Sequence, residues 1–256
     1  MKISIITINL NNFHGLLKTI DSVLSQERSL YEWIIIDGGS TDGSRELIEQ
    51  NQYNIDYWVS ESDRGIYNAM NKGINVAKGE YLLFLNSGDY LKNDCLQSVV
   101  PMLRGEIMVG RVESESSGKL SYQYEDQSFS FSQLYYYSFP HQASFIKREL
   151  FIKYGMYDER YKIASDWSFF LKVLLREDIN IHFISDVISV VEDNGISQTH
   201  KLLFEAERKI ILGETIPSYL VEDLEYSLSL HELKKSRIAK KLYSILYRLF
   251  CHFFII

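Results

Sequence analysis

Asn86-Ser87-Gly88-Asp89 stands where a short apolar run, Gly79 to Leu85, stops abruptly. A carboxylate on a glycine-permitted turn just past a buried strand can meet a metal ion or a sugar. Thr7 and Asn9 close a β-branched run, and Asp37 closes another. A carboxylate at such a position accepts hydrogen bonds from a ribose or a base edge; Asp37 and Asp42 equally serve to organise a turn. Asp63-Arg64-Gly65 precedes a helical pattern, where backbone N–H groups and a cation favour phosphate oxygens. The alternative there is a surface ion pair between Asp63 and Arg64, with Lys72 a solvated helix residue. Asp166 opens a helix, either as a cap favoured by the helix dipole or as a base that takes a proton from an attacking hydroxyl. His141 and His200 have no partners at ligand spacing and read as structural or loop-borne.

The elements that must position these groups alternate. Ile3 to Ile8 predicts a strand, and Phe13, Leu16, Leu17, Ile20, Val23 and Leu24 follow at helical spacing. Trp33 to Ile36 predicts the next strand, then a helix from Leu47 with Ser40 or Asp42 as its cap. Ile55 to Ser60 predicts a third strand. Ile66, Met70, Ile74 and Ala77 mark a helix stopped by Gly79, and the apolar run follows. Alternating units of this length predict a doubly wound, mostly parallel α/β sheet flanked by helices. Beyond it come a helix from Asn93 or Asp94 to Leu103, a hairpin of Glu106–Glu113 with Leu120–Glu125, and an aromatic stretch from Phe129 to Phe139. A short helix from Lys147 to Tyr154, a helix from Asp166 to Leu175, a strand over Ile179–Val191 and a turn at Asp193-Asn194-Gly195 follow.

The 256 residues suit one large domain plus an appendage; 46% are apolar and 24% charged, as in ordinary globular chains. A net charge of −7 gives no footprint of a nucleic-acid binder. Cys95 and Cys251 form neither a metal knuckle nor a disulfide framework, which fits a reducing, cytoplasmic setting. The N-terminus reads as the start of a fold rather than a signal, and no stretch reaches the ~18 apolar residues of a membrane span. The segment 231–256 differs in charge: Lys234, Lys235, Arg237, Lys240, Lys241 and Arg248 oppose only Glu232, beside one apolar face carrying Ile238, Leu242, Leu249 and Phe253. Such a helix suits the plane of an anionic membrane, at the inner face of the cell membrane, or packs on its own domain or on a second copy in a homodimer.

Together, Ser4-Ile5-Ile6-Thr7, Ile36 to Gly43, Asp63 to Gly73, Gly79-Glu80-Tyr81 and Leu85 to Asp89 resemble the family 2 glycosyltransferases, over roughly residues 1 to 200 and most strongly before residue 90. The resemblance implies a GT-A fold at 1–200, with a nucleotide-sugar-binding half at 1–90, an acceptor-side half at 91–200 and a helical extension at 201–256. It implies a nucleotide-diphosphate sugar donor, a divalent cation (Mn or Mg), a glycan or lipid-linked glycan acceptor, and inverting transfer of a hexosyl or N-acetylhexosaminyl unit in bacterial surface polysaccharide synthesis. Thr7 and Asp37 then match the positions that hold the base and ribose, with Asn9 beside them as a further cofactor-binding candidate, and Arg64 matches a nucleotide-side contact. Asn86 to Asp89 match the motif that binds metal and diphosphate, with Asp89 the metal ligand. Asp166, in Ser165-Asp166-Trp167, matches the general base, and Phe139-Pro140-His141-Gln142 the acceptor-side loop.

Two positions depart from the family pattern. The usual pair of aspartates after the second strand is Asp37-Gly38, and the usual Asp-x-Asp is Asn86-Ser87-Gly88-Asp89. One Asp, an Asn carbonyl, diphosphate and water, with His200, would complete the oxygen-rich shell that a hard dication prefers. The thinned acidic motif also fits a non-catalytic nucleotide-sugar-binding relative. A sugar nucleotidyltransferase fits less well, since it wants a Gly- and Lys-rich loop after the first strand.

Overall fold

The computed structural model describes residues 2–121, 134–135, 138–176, 179–192 and 200–235. By contact density the chain divides into two compact units, 1–208 and 209–256. The first unit is built on an eight-stranded sheet: β1 (Ile3–Asn9), β2 (Tyr31–Asp37), β3 (Tyr57–Ser60), β4 (Tyr81–Phe84), β5 (Tyr90–Leu91), β6 (Ile107–Ser114), β7 (Ser144–Lys147) and β8 (Ile181–Val191), in the order β3-β2-β1-β4-β7-β6-β8-β5.

The first four strands run parallel, as the alternating pattern predicts, with Asn9 opposite Asp37 at the ends of β1 and β2. β1 and β2 are buried along their whole lengths, so they read as continuous apolar runs. Their two faces are covered by different helices. Leu16, Ile20 and Val23 of α1 (Phe13–Leu24) join Ile3, Ile5, Trp33 and Leu83 in one core cluster. α3 (Ile66–Val76) lies against β1 from the other side, where its Gly73 leaves no room for a Cβ beside Ile6. α2 (Ser44–Gln50) follows β2. Its N-cap is Gly43 rather than Ser40 or Asp42, and Asp42 acts from one residue further out by accepting the Ser44 N–H at 3.1 Å.

Gly79 is not the stop of α3, which ends at Val76 with Ala77 as its C-cap. Its backbone N–H instead meets Ser4 Oγ at 2.8 Å and Glu32 Oε1 at 2.9 Å, and a Cβ there would sit 2.5 Å from the Ser4 backbone nitrogen. Backbone cannot yield as a side-chain tip can. Gly79→Ala is expected to cost about 1–3 kcal/mol, a loss of several degrees in Tm, measured by thermal or urea denaturation.

Beyond β4 the sheet becomes mixed. β7 pairs antiparallel with both β4 and β6, while β6 and β8 run parallel. β7 has no counterpart among the expected strands, because its four residues run directly into α5 (Arg148–Tyr154), which Gly155 closes as expected. The helix expected from Asn93 to Leu103 is split into α4 (Cys95–Val99) and a 3-10 turn over Val100–Met102. Pro101, which has no N–H to give, sits at the break. Of the expected hairpin, β6 and a bridge between Glu113 and Leu120 are present; its second arm past residue 121, most of the aromatic stretch, and the turn at 193–195 lie outside the described residues.

α6 (Ser165–Leu174) packs Phe169 face to face on Phe151 of α5, with ring centroids 4.2 Å apart. α7 (Lys201–Thr215) and α8 (Ser218–Lys235) end the described chain. Among the described residues no helix is long and apolar enough to cross a membrane. Most of the basic segment expected at 231–256 lies past Lys235, outside them.

Candidate active site

The strand order reverses at β1, which has β2 on one side and β4 on the other, so the carboxyl ends of β1 and β4 flank the crevice where open α/β sheets place ligands. A cavity of about 530 Å³ occupies that crevice, well within the range of small-molecule sites. The mixed half of the sheet points three more groups into it. β7 runs opposite to β4, so His141 and Gln142, just ahead of β7, arrive at the end where β4 finishes. β8 runs with β6, so the residue after it, Glu192, arrives at the same end.

The turn after β4 is held by α1. Thr19 Oγ1 accepts the Gly88 N–H at 3.1 Å and donates to the Asp89 carbonyl at 2.7 Å, while Asn12 Nδ2 donates to the Ser87 carbonyl. Gly88 takes φ +104°, and a Cβ there would strike the Glu192 carboxyl. Asp89 lines the cavity yet is only 7% exposed. Its Oδ2 accepts from Gln142 Nε2 at 3.1 Å and its Oδ1 from the Glu192 N–H at 3.3 Å. Burial pushes its pKa up to about 6, against the lowering effect of the Gln142 amide and His141.

Asp166 is the second residue of α6 and lines the same cavity. Tyr67, buried on α3, places its hydroxyl 2.8 Å from Asp166 Oδ1 and 2.6 Å from the Ile163 carbonyl, so one proton is shared between two acceptors. Burial and the neighbouring Asp166 carboxylate hold the Tyr67 hydroxyl well above the usual tyrosine range. His141 spans the site: Nδ1 is 3.5 Å from Asp166 Oδ2, and Nε2 is 3.3 Å from Asn86 Nδ2. Asn86, His141, Asp166 and Tyr67 thus form one polar chain from the turn after β4 to the start of α6.

Of the other residues singled out in the sequence, Asn9 lines the cavity. Thr7, Asp37 and Arg64 do not. Thr7 is fully buried and accepts the Trp33 indole N–H at 3.0 Å. Asp37 is fully buried beneath Asn9 Nδ2 (2.7 Å), Ser40 Oγ (2.6 Å) and Ser60 Oγ (2.6 Å). Burial alone would raise its pKa, but hydrogen bonds from Ser40, Ser60 and Asn9 outweigh it and lower the value. Arg64 is exposed and pairs with Glu159 at 2.7 Å, not with Asp63, whose Oδ1 takes the Gly65 N–H. Lys72 pairs with Glu61 at 2.7 Å. His200 is exposed ahead of α7 and is not part of the cavity lining.

The residues that the sequence left unmarked are Tyr67 as a partner of Asp166 and Glu192 as a cavity wall. Glu192 is the first residue past a strand end, the one signal that would have drawn attention to it.

Among the described residues no three His, Cys, Asp or Glu side chains converge as metal ligands. The donors along the turn are nonetheless hard oxygens. Asn86 Oδ1 is buried and, among the described residues, has no hydrogen-bond partner, and the Asp89 and Glu192 carboxylates line the same cavity. That set fits a divalent cation of the Mg or Mn kind.

A sequence model described as Glycosyl transferase family 2 matches residues 4–174, two thirds of the chain. The chain belongs to that family. An uncharacterized glycosyltransferase of Mycobacterium tuberculosis is 36% identical over 180 residues, covering 68% of this chain and 69% of its own length. A PGL/p-HBAD biosynthesis glycosyltransferase of Mycobacterium bovis is 29% identical over 205 residues, covering 77% and 79%. Among solved structures, TarS 1–349 of S. aureus in complex with UDP-GlcNAc superposes with a TM-score of 0.66 at 18% identity, covering 78% of this chain and 61% of that one. A mannosyltransferase from Pyrobaculum calidifontis, in complex with GDP-Man and Mn2+, gives 0.59 at 16%, covering 97% and 80%. At such identities the likeness is one of fold, and it is the GT-A-type α/β fold expected from the motifs. Membership and the names of the relatives support glycosyl transfer as the reaction class.

Proposed function

We propose that this chain is an inverting transferase that moves a hexosyl or N-acetylhexosaminyl unit from a nucleotide-diphosphate sugar to a hydroxyl of a glycan or lipid-linked glycan. The observation that carries the reading is that Asp89 and Asp166, which the motifs give opposite roles, line one cavity and are linked through Asn86 and His141. Asp89, Asn86 Oδ1 and Glu192 would hold a divalent cation, which when bound offsets negative charge on the departing diphosphate. Residues 1–90 supply the donor side, with Asn9 on the cavity wall. His141 and Gln142 belong to the acceptor side.

The chain's own groups then have defined tasks. Asp166 accepts the acceptor's O–H proton on Oδ2 while the acceptor oxygen bonds to the anomeric carbon. The bond from that carbon to the diphosphate oxygen breaks on the opposite face, and the nucleoside diphosphate leaves with the electron pair. Tyr67 keeps Oδ1 engaged, so Oδ2 is the oxygen turned to the substrate. His141, beside Oδ2, fixes its direction.

The test is a panel of UDP-, GDP- and dTDP-sugars with Mn2+ or Mg2+ and no acceptor. At least one donor should raise the melting temperature and be hydrolysed slowly, with release of the nucleoside diphosphate. Binding with no turnover would make the chain a nucleotide-sugar-binding relative, and a panel with neither would end the reading.

A further inference from the structure

Glu207, on α7 and outside the span that matches the family, is a buried carboxylate with no part in the cavity. It is 6% exposed, and its oxygens accept three consecutive backbone N–H groups: Lys162 at 2.7 Å, Ile163 at 3.0 Å and Ala164 at 3.0 Å. Those residues are the approach to α6. Ala164 is the helix N-cap and supplies no side-chain cap, so Glu207 brings negative charge to the start of the helix from another element. Two residues past Ala164 stands Asp166. The same three-residue approach carries the Ile163 carbonyl that receives the Tyr67 hydroxyl, which also reaches Asp166 Oδ1.

We infer that Glu207 is a positioning residue: it clamps the backbone of 162–164 so that Asp166 meets Tyr67 and His141 with Oδ2 turned to the acceptor hydroxyl. The assignment rests on the transferase reading above and adds to it a residue outside the family's matched segment. Glu207 itself takes no part in the cavity wall. Its loss alters where Asp166 sits and leaves the turn at Asn86–Asp89, after β4, as it was. Kinetics therefore divide. Donor binding belongs to the β1 and β4 ends, and proton acceptance belongs to α6.

Glu207→Gln is nearly isosteric but presents an amide N–H to N–H groups that need an acceptor. With the donor picked out by the panel, kcat per donor-binding site, counted by titration with that donor's own nucleoside diphosphate, should fall roughly 10- to 100-fold, the scale of a 1 Å misplacement of a reacting group. KM for the donor should stay within about twofold. Glu205→Gln, on the exposed side of the same helix, should change neither. Hydrogen exchange of the backbone amides of 162–168, read without substrate, should speed up in Glu207→Gln alone. Unchanged exchange in Glu207→Gln overturns the clamp whatever the enzyme does. Faster exchange with unchanged kcat overturns its role in placing Asp166. A wild-type chain that consumes no donor sinks instead the transferase reading beneath it, and the exchange data keep that failure distinct.

Discussion

Asp166→Asn should lower glycosyl transfer by about 10³-fold, within the 10²- to 10⁴-fold range of general-base catalysis, while donor affinity stays within about twofold. The substitution is chosen for what it keeps. Asn has the same shape, and its Oδ1 can still accept from Tyr67 at the second position of α6. What it loses is the ability to take a proton. Because Asp89, Asn86 and the β1 end are unchanged, the surface proposed to bind the donor stays the same. Single-turnover kinetics give the transfer rate and calorimetric titration with UDP or the intact donor gives the affinity. Turnover within about threefold of wild type would remove Asp166 from the role and point to His141, the ionisable group that touches both Asn86 and Asp166.

The parts of this site that could be read from residues are those fixed by local sequence. β1, β2 and β4 end at polar turns, and the turn residues Asn86 to Asp89 come to the crevice because a parallel sheet leaves them nowhere else to go. Asp166 stands at a helix start for the same local reason. Which face a strand residue takes is another matter. β1 and β2 are buried on both sides, so their sequences carry no alternation, and nothing local told that Thr7 would meet the Trp33 indole while Asn9, two residues on, reached the cavity. Long-range partners were equally silent. Arg64 finds Glu159 ninety-five residues away, and Tyr67 finds Asp166 across ninety-nine. The antiparallel insertion of β7 between β4 and β6 is what carries His141 and Gln142 to the site. Four residues running straight into a helix gave too little pattern to reveal it.

Asp89→Asn should abolish donor turnover and, without ligand, make the protein more stable. Burial raises the Asp89 pKa from 3.8 to about 6, so the folded state prefers the neutral acid. The sign follows directly: between these values the folded chain binds more protons than the unfolded one, and stability falls as pH rises from about 4 to about 6. Above that window the charged, buried carboxylate costs about 3 kcal/mol, since each pH unit between the folded and unfolded pKa is worth roughly 1.4 kcal/mol. Asn removes the charge but gives back part of the gain, since its amide cannot accept both the Gln142 amide and the Glu192 N–H. A net gain of about 1–2 kcal/mol, a rise of a few degrees in Tm at pH 7.5, is expected, shrinking below pH 5 where wild-type Asp89 is itself neutral. A wild-type melting temperature higher than that of the variant at pH 7.5 and lower at pH 4.5 would reverse the argument. The retained carboxylate is then intelligible as a cost of function. Among the described residues no Lys or Arg lines the cavity, so an acid held charged there at neutral pH is poised for a cationic partner. On the proposed reading, binding of that partner together with a diphosphate would recover the stability that the charged carboxylate forfeits.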